Sequence, residues 1–353
     1  MLNKGYKFRP FIELLLVACA FVWAGAARAD DGQIRVFTVY SYNAPWSDKI
    51  RLAMDRYFQS QKIKTVRASY FLDYKGLNKK TAAARQNELE IAVNVVRKFS
   101  PDYIVICDDE AILRFLPMMY ELNKPIIFTG VNGLPSSIPG LDSHRKLITG
   151  VFERYPMKQT LRLLSDISPR KIHKIKLMTE SSDTATAIID SIHNYFENND
   201  LKYTLEKDLV SNSWIEWKEA IANCNTAGIV PWVLLPFDIV DPQGQPVSFR
   251  TIGDWFMENL RVPSLSIVDL IIEMGVMASV AIDPSTLGNG AAEIIAMNHL
   301  KHVEIDKIPF RFPEQSAITI NKDATDRLGV KIPIELLEYG RIIQSHGKKK
   351  VAK

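Results

Sequence analysis

Three cysteines and six histidines in 353 residues are too few to specify a disulfide framework or a metal centre by their spacing. The close histidine pair, His299 and His302, falls on an expected helix, and a solvated helix face explains it better than a metal site. The catalytic signatures are missing as well. There is no P-loop and no nucleophile elbow. Gly288-Asn289-Gly290 lacks the third glycine of a dinucleotide fingerprint and follows its strand at the wrong distance, so it reads as a flexible helix start. Charge of one sign is scarce too. Forty-four basic residues against forty acidic give a net +4, the basic ones are dispersed, and no nucleic-acid-binding motif accompanies them. Lys348-Lys349-Lys350 belongs to a solvated basic tail, 346–353. These absences argue against nucleic-acid binding, a cofactor, a metal and an enzyme.

What is present is apolar and regular. At 47% hydrophobic residues the chain can bury a large core, and this length usually divides into two domains. Lys4, Lys7 and Arg9 precede an apolar stretch at 11–24, broken only by Glu13, and Ala27-Arg28-Ala29 supplies a cleavage site. The expectation is an exported, periplasmic protein cleaved after Ala29, because the apolar stretch is short for a membrane span. Leu16-Val17-Ala18-Cys19 resembles a lipobox, but cleavage there would leave an apolar leader on the mature chain. After cleavage at Ala29, Cys107 and Cys224 remain, each expected to be free and buried.

The most informative stretch is 101–132, PDYIVICDDEAILRFLPMMYELNKPIIFTGVN. It reads as a strand at Tyr103–Cys107, an acidic turn, a helix over 111–122 and a second buried strand from Ile126. Two parallel strands thereby deliver Asp108, Asp109 and Asn132 to one sheet edge, where small ligands sit in open α/β sheets. The rest of the chain repeats the alternation. Ile34–Tyr40 is a strand that opens into a turn carrying Tyr42 and Trp46, with the next helix expected from Lys49. Thr65 starts another strand, and 81–98 is a long helix. Strands follow at 147–152, 174–178, 203–210, 228–235, 263–267 and 277–282, with helices between them. Ser213 and Glu216 have the spacing of a capping box. The pattern predicts parallel sheets flanked by helices in two α/β units.

Six segments taken in order resemble the ABC-transporter substrate-binding protein family that includes tryptophan- and tyrosine-binding members. They are PDYIVICDDEA, KPIIFTGVN, ITGVFERYPMKQTLRLL, VPSLSIVDL, SVAIDPSTLGNGAAEIIAMNHL and INKDATDRLGVKIP. The resemblance implies a type I periplasmic-binding-protein fold, a two-lobed clamshell with three hinge crossovers and a ligand held between the lobes. Lobe one is then expected over 30–150 plus 264–306, and lobe two over 151–263 plus 307–345. Under that arrangement Tyr42, Trp46, Asp108, Asp109 and Asn132 would face Glu180, Ser181, Ser182, Phe237 and Asp238, with Glu153 at the hinge and Asp269 after a crossing strand. Asp109 and Ser182 also read as helix caps, and Glu153 as a hinge brace. The implied partners are a small amine-bearing or aromatic metabolite such as an amino acid, and the membrane permease of an ABC transporter. A membrane sensor protein is the alternative receiver, and a monomer is expected. Members that bind aromatic amino acids carry small neutral residues where this chain has Asp108-Asp109-Glu110, which implies a cationic or polyhydroxylated ligand instead.

Overall fold

The computed structural model describes residues 32–73, 80–168, 172–313 and 316–344. The expected signal segment and the basic tail lie outside the described residues. Twelve strands and eleven α-helices are described. The strands are β1 Ile34–Tyr40, β2 Thr65–Phe71, β3 Tyr103–Cys107, β4 Ile126–Val131, β5 Ile148–Phe152, β6 Lys174–Thr179, β7 Thr204–Val210, β8 Val230–Val233, β9 Leu265–Ser266, β10 Ala278–Ile282, β11 Ser316–Asn321 and β12 Arg341–Ile343. The helices are α1 Pro45–Ser60, α2 Ala82–Phe99, α3 Asp109–Met119, α4 Met157–Ile167, α5 Asp183–Glu197, α6 Trp214–Ala227, α7 Phe249–Asn259, α8 Asp269–Ile272, α9 Pro284–Lys301, α10 Lys322–Leu328 and α11 Ile334–Tyr339.

The strands form two sheets, one for each lobe. The first has the order β2-β1-β3-β4-β5, all parallel. The second has the order β12-β11-β10-β9-β8-β6-β7, with β11 antiparallel to β10 and the other pairings parallel. Strands β3, β4 and β5 are buried at every position, which is why their sequences are continuous apolar runs rather than alternating ones. Phe128 and Trp232 are fully buried, one in a core cluster of each lobe. Full burial of side chains this size contributes about 2–3 kcal/mol each.

Strand order places the crevices. In the first sheet the order reverses between β1 and β3, and in the second between β6 and β8. Helices on opposite faces part at such a reversal, leaving a crevice beyond the carboxyl ends of the strands. Ser41, Tyr42 and Asp108 follow the strands at the first reversal, and Glu180 and Phe237 follow those at the second.

The hinge differs from the expected one at its second crossing. The segment from 264 was expected to return at once to lobe one, yet β9 and β10 pair with β8 and β11 in the second sheet. Leu265, Ile267 and Val280 fill the same core as Trp232 and Ile175. The return comes at Pro284, where α9 lays Leu287, Ala291 and Ile294 against Ile50, Met54 and Val105 of the first core. The third segment, near Arg311, runs beside β5. Phe152 N–H donates to Arg311 O and Arg311 N–H to Gly150 O, both at 2.9 Å, and Phe152 stacks on Phe312.

Local expectations fail in three other places. Helix α1 starts at Pro45, four residues early, because Pro45 occupies its first turn while Ser47 Oγ donates back to Tyr42 O at 2.9 Å. Ser213 precedes α6, but its side chain makes no cap hydrogen bond. Gly288 and Gly290 lie within α9, which Asp283 caps by accepting from Ser285 N–H. Both glycines are packing positions. A Cβ on Gly288 would stand 2.3 Å from Ile50 O of α1, and one on Gly290 would stand 3.0 Å from Val151. Cys107 and Cys224 are free and buried, as expected.

Candidate functional site

The end of β1 is fastened to the start of α3 by one hydroxyl. Ser41 Oγ donates to Cys107 O at 3.1 Å and accepts from Ala111 N–H at 3.0 Å. It takes up a free amide of the first turn of α3, the task of an N-cap performed from another strand. Tyr42, the next residue, hydrogen-bonds through its side chain to Glu110 and to Thr184 of the other lobe. Burial first, and then the neighbouring Glu110 carboxylate, push its phenol pKa far up. Trp46 lies in the first turn of α1, half-buried against the first lobe's core.

The acidic turn gives its three carboxyls different tasks. Asp108 has φ 72° and ψ 164°, a conformation that only glycine adopts freely and that costs another residue about 1–3 kcal/mol. It is 7% exposed, and its Oδ2 is buried without a hydrogen-bond partner in the protein. Burial and then the charges of Glu110, Glu153 and Asp109 hold its pKa well above the carboxylate range. Asp109 turns away and braces the turn after β4. It accepts from Asn132 N–H at 3.0 and 3.1 Å, from Asn132 Nδ2 at 2.8 Å and from Gly133 N–H at 2.9 Å. Burial still raises it to about 6, against the lowering effect of those bonds. Glu110 is fully buried and crosses the cleft. Its Oε1 accepts from Thr184 N–H at 3.1 Å and Thr184 Oγ1 at 2.5 Å, and its Oε2 has no partner.

Where β5 leaves the sheet, Glu153, Arg154 and Tyr155 complete this group. A Cβ on Gly130 would stand 3.3 Å from Asp108 Oδ1 and 3.9 Å from Glu153 Oε2, so both acids lie over that glycine. Burial, and then Asp109, raise Glu153 to about 8, while its hydrogen bond with Tyr155 works the other way. Arg154 spends Nη1 on the carbonyls of Val131, Asn132 and Glu153 and Nη2 on Gly133 O. Its guanidinium lies 4.5 Å from the Phe152 ring centroid. Burial lowers it to about 10, against the nearby Asp109 and Glu153.

The second lobe contributes two groupings. At the start of α5, Ser182 Oγ accepts from Ala185 N–H at 3.1 Å, so it is a helix cap, and Asp183 pairs with Arg114 of α3 at 2.9 Å across the cleft. Further along, Glu180 Oε2 accepts from Phe237 N–H at 3.0 Å and Asp238 N–H at 2.6 Å. Asn212 ties in both neighbours, accepting from Ser181 N–H at 2.8 Å and donating to Asp238 O at 2.9 Å. Phe237 stacks on Phe249 and packs against its own lobe's core. Asp269 begins α8 and accepts from Ser279 Oγ at 2.8 Å.

The folded chain thus brings Tyr42, Asp108, Asp109, Asn132 and Glu153 into one acidic group at the first crevice. Glu180, Ser181, Phe237 and Asp238 gather at the second sheet's crevice. Trp46, Phe237 and Asp269 are occupied with packing or local bonds. Glu110, Thr184, Arg154 and Ser41 escaped selection in the sequence. For Glu110 a signal existed, since a helix starting at Asp109 puts its side chain in the first turn beside the crevice. Ser41 and Thr184 carry no local mark. Among the described residues, no group of three or more His, Cys, Asp or Glu side chains could hold a metal ion.

The family model described as ABC transporter substrate binding protein matches residues 72–342. The chain belongs to that family. Solved structures of similar shape include a ligand-free, open substrate-binding protein with adhesive properties from Clostridium difficile. It is 17% identical with a TM-score of 0.63, and the match covers 88% of this chain and 99% of that one. An ABC domain from Streptococcus pneumoniae in complex with L-Trp is 18% identical with a TM-score of 0.61, covering 87% and 100%. A periplasmic ribose ABC transporter protein from Conexibacter woesei is 11% identical with a TM-score of 0.51, covering 84% and 94%. At these identities the likeness establishes the type I periplasmic-binding-protein fold. No curated protein sequence matches the chain.

Proposed function

We propose that this substrate-binding family member is an exported, monomeric solute-binding protein and not an enzyme. It captures a small amine-bearing or aromatic metabolite between its lobes and delivers it to the membrane permease of an ABC transporter. The observation that carries this reading is the meeting of the two lobes at their sheet ends. Glu110, beside the first crevice, bonds to Thr184 at the start of α5, which follows β6. A solute held there would touch both lobes at once, so its binding energy would favour closure, and closure is what a permease could recognise. Asp108, Asn132 and Tyr42 are the side chains assigned to the solute from the first lobe. In this reading lobe one comprises residues up to about 152 plus 284–312, and lobe two the remainder.

Isothermal titration against a panel of amino acids, amines, nucleosides and sugars tests the proposal. Saturable heat from one class is expected, and silence across the panel would overturn it. Mass spectrometry of periplasmic protein, with the mature chain starting at Asp30, tests export.

A further inference from the structure

We infer that the solute is an organic amine that carries no carboxylate, its protonated N–H groups received by Asp108 and Asn132. This deepens the solute-binding reading and rests on it. The first ground is the set of acceptors left over at the crevice. Asp108 Oδ2, Glu110 Oε2 and Asn132 Oδ1 are buried without a protein partner, in residues 7%, 0% and 4% exposed. Asn132 is informative because its amide nitrogen is spent on Asp109 Oδ2 at 2.8 Å, which fixes the oxygen as the end left over. All three atoms lack a donor, and a primary ammonium or a guanidinium brings several donors with a positive charge.

The second ground is that several of the donors an amino acid's carboxylate could use are already taken. Such a carboxylate binds at helix N-termini, on backbone amides or on a guanidinium. At the start of α5 the N–H of Thr184 goes to Glu110 and that of Ala185 to Ser182. The N–H of Ser181 goes to Asn212, and those of Phe237 and Asp238 go to Glu180. Both terminal nitrogens of Arg154 are on backbone carbonyls, and Arg114 gives Nη2 to Asp183. Glu110 therefore fills, from within the protein, the helix-start position that a ligand carboxylate would take. An incoming carboxylate would also enter a group of four buried carboxyls, Asp108, Asp109, Glu110 and Glu153. Burial and then the neighbouring carboxyls raise the Asp108 pKa well above the carboxylate range, and a bound cation would act against that shift.

Matched pairs decide the question. The mature protein is titrated calorimetrically at pH 7.5 with tryptamine and L-tryptophan, tyramine and L-tyrosine, and agmatine and L-arginine, with ribose and myo-inositol alongside. At least one amine is expected to bind tenfold or more tightly than its amino acid. Asp108→Asn, which keeps the side-chain shape and tolerates positive φ, is expected to weaken that amine at least tenfold while its melt stays cooperative. Glu110→Ala, which frees Thr184 N–H, is expected to narrow the preference for the amine. An amino acid that binds as tightly as its amine overturns the inference and leaves the solute-binding reading standing. So does binding of a sugar or polyol without any amine. An unchanged preference in Glu110→Ala overturns the role given to Glu110, and silence from every probe overturns both readings.

Discussion

Glu110 of the first lobe accepts two hydrogen bonds from Thr184 of the second, one from its backbone N–H at 3.1 Å and one from its hydroxyl at 2.5 Å. The carboxyl is fully buried, so these bonds lie in a low-dielectric setting where each is worth about 1.5–3 kcal/mol. The neighbouring Arg114–Asp183 pair spans the same cleft with side chains 32% and 38% exposed, which limits it to about 0.2–1 kcal/mol. Thr184→Val should therefore open the lobes more than Arg114→Ala does. Small-angle scattering of the two variants checks this. A larger rise in radius of gyration for Arg114→Ala would contradict the ranking.

Acidification should stabilise the fold through its buried acids. Glu153 is raised from 4.5 to about 8, chiefly by burial, with Asp108, Asp109, Arg154 and Tyr155 around it. The folded state thus holds a proton that the unfolded chain releases near pH 4.5. The resulting stability is fully present below that value and is lost as pH rises through about 8, at roughly 1.4 kcal/mol per pH unit in between. Asp109, raised to about 6, acts with the same sign over a lower window. The melting temperature should fall between pH 6 and pH 8, and Glu153→Gln should flatten that slope and raise stability at pH 8. Scanning fluorimetry over this range is the measurement.

Gly288→Ala should unfold the first lobe more readily, although alanine is the better helix former. The propensity gain is about 1 kcal/mol. Against it, the new methyl would stand 2.3 Å from Ile50 O and 2.9 Å from Ala53 Cβ, forcing α9 away from α1. Overpacking of this kind costs about 1–3 kcal/mol or more. Urea denaturation should show a net loss, and a gain would mean that the two helices separate without strain.

How much of this could be read from residues alone follows from range. The βαβ unit around Asp108 was legible because strand burial, turn and helix period are local, and so was the delivery of Asp108 and Asn132 to one edge. Which sheet β9 and β10 join was not, because Leu265 and Val280 would suit either core equally well. The division of labour in the acidic turn was also hidden. Asp109 and Glu110 are adjacent carboxylates on one helix turn, yet one braces Asn132 and the other reaches Thr184. That difference depends on a partner 74 positions away. Trp46 and Phe237 have the composition of a ligand wall, but the packing that half-buries them is tertiary.

Arg154 offers the sharpest test of what shapes the turn beneath the crevice. Its planar fork serves four carbonyls at once, those of Val131, Asn132, Gly133 and Glu153, at 2.7 to 3.1 Å, while its face covers Phe152. Lysine carries a comparable charge but lacks the fork, so one ammonium cannot reach all four acceptors or stack as a plane. Each buried carbonyl left unpaired costs about 1–3 kcal/mol. Arg154→Lys should thus lower stability by about 2–4 kcal/mol and speed amide exchange at Asn132 and Gly133, whose N–H groups are held by Asp109 on the other side of the same turn. Hydrogen exchange read by mass spectrometry separates this from global weakening. Faster exchange confined to the peptide spanning 131–133 supports a turn set by Arg154, whereas uniform acceleration across both lobes would show that the side chain acts only through overall stability.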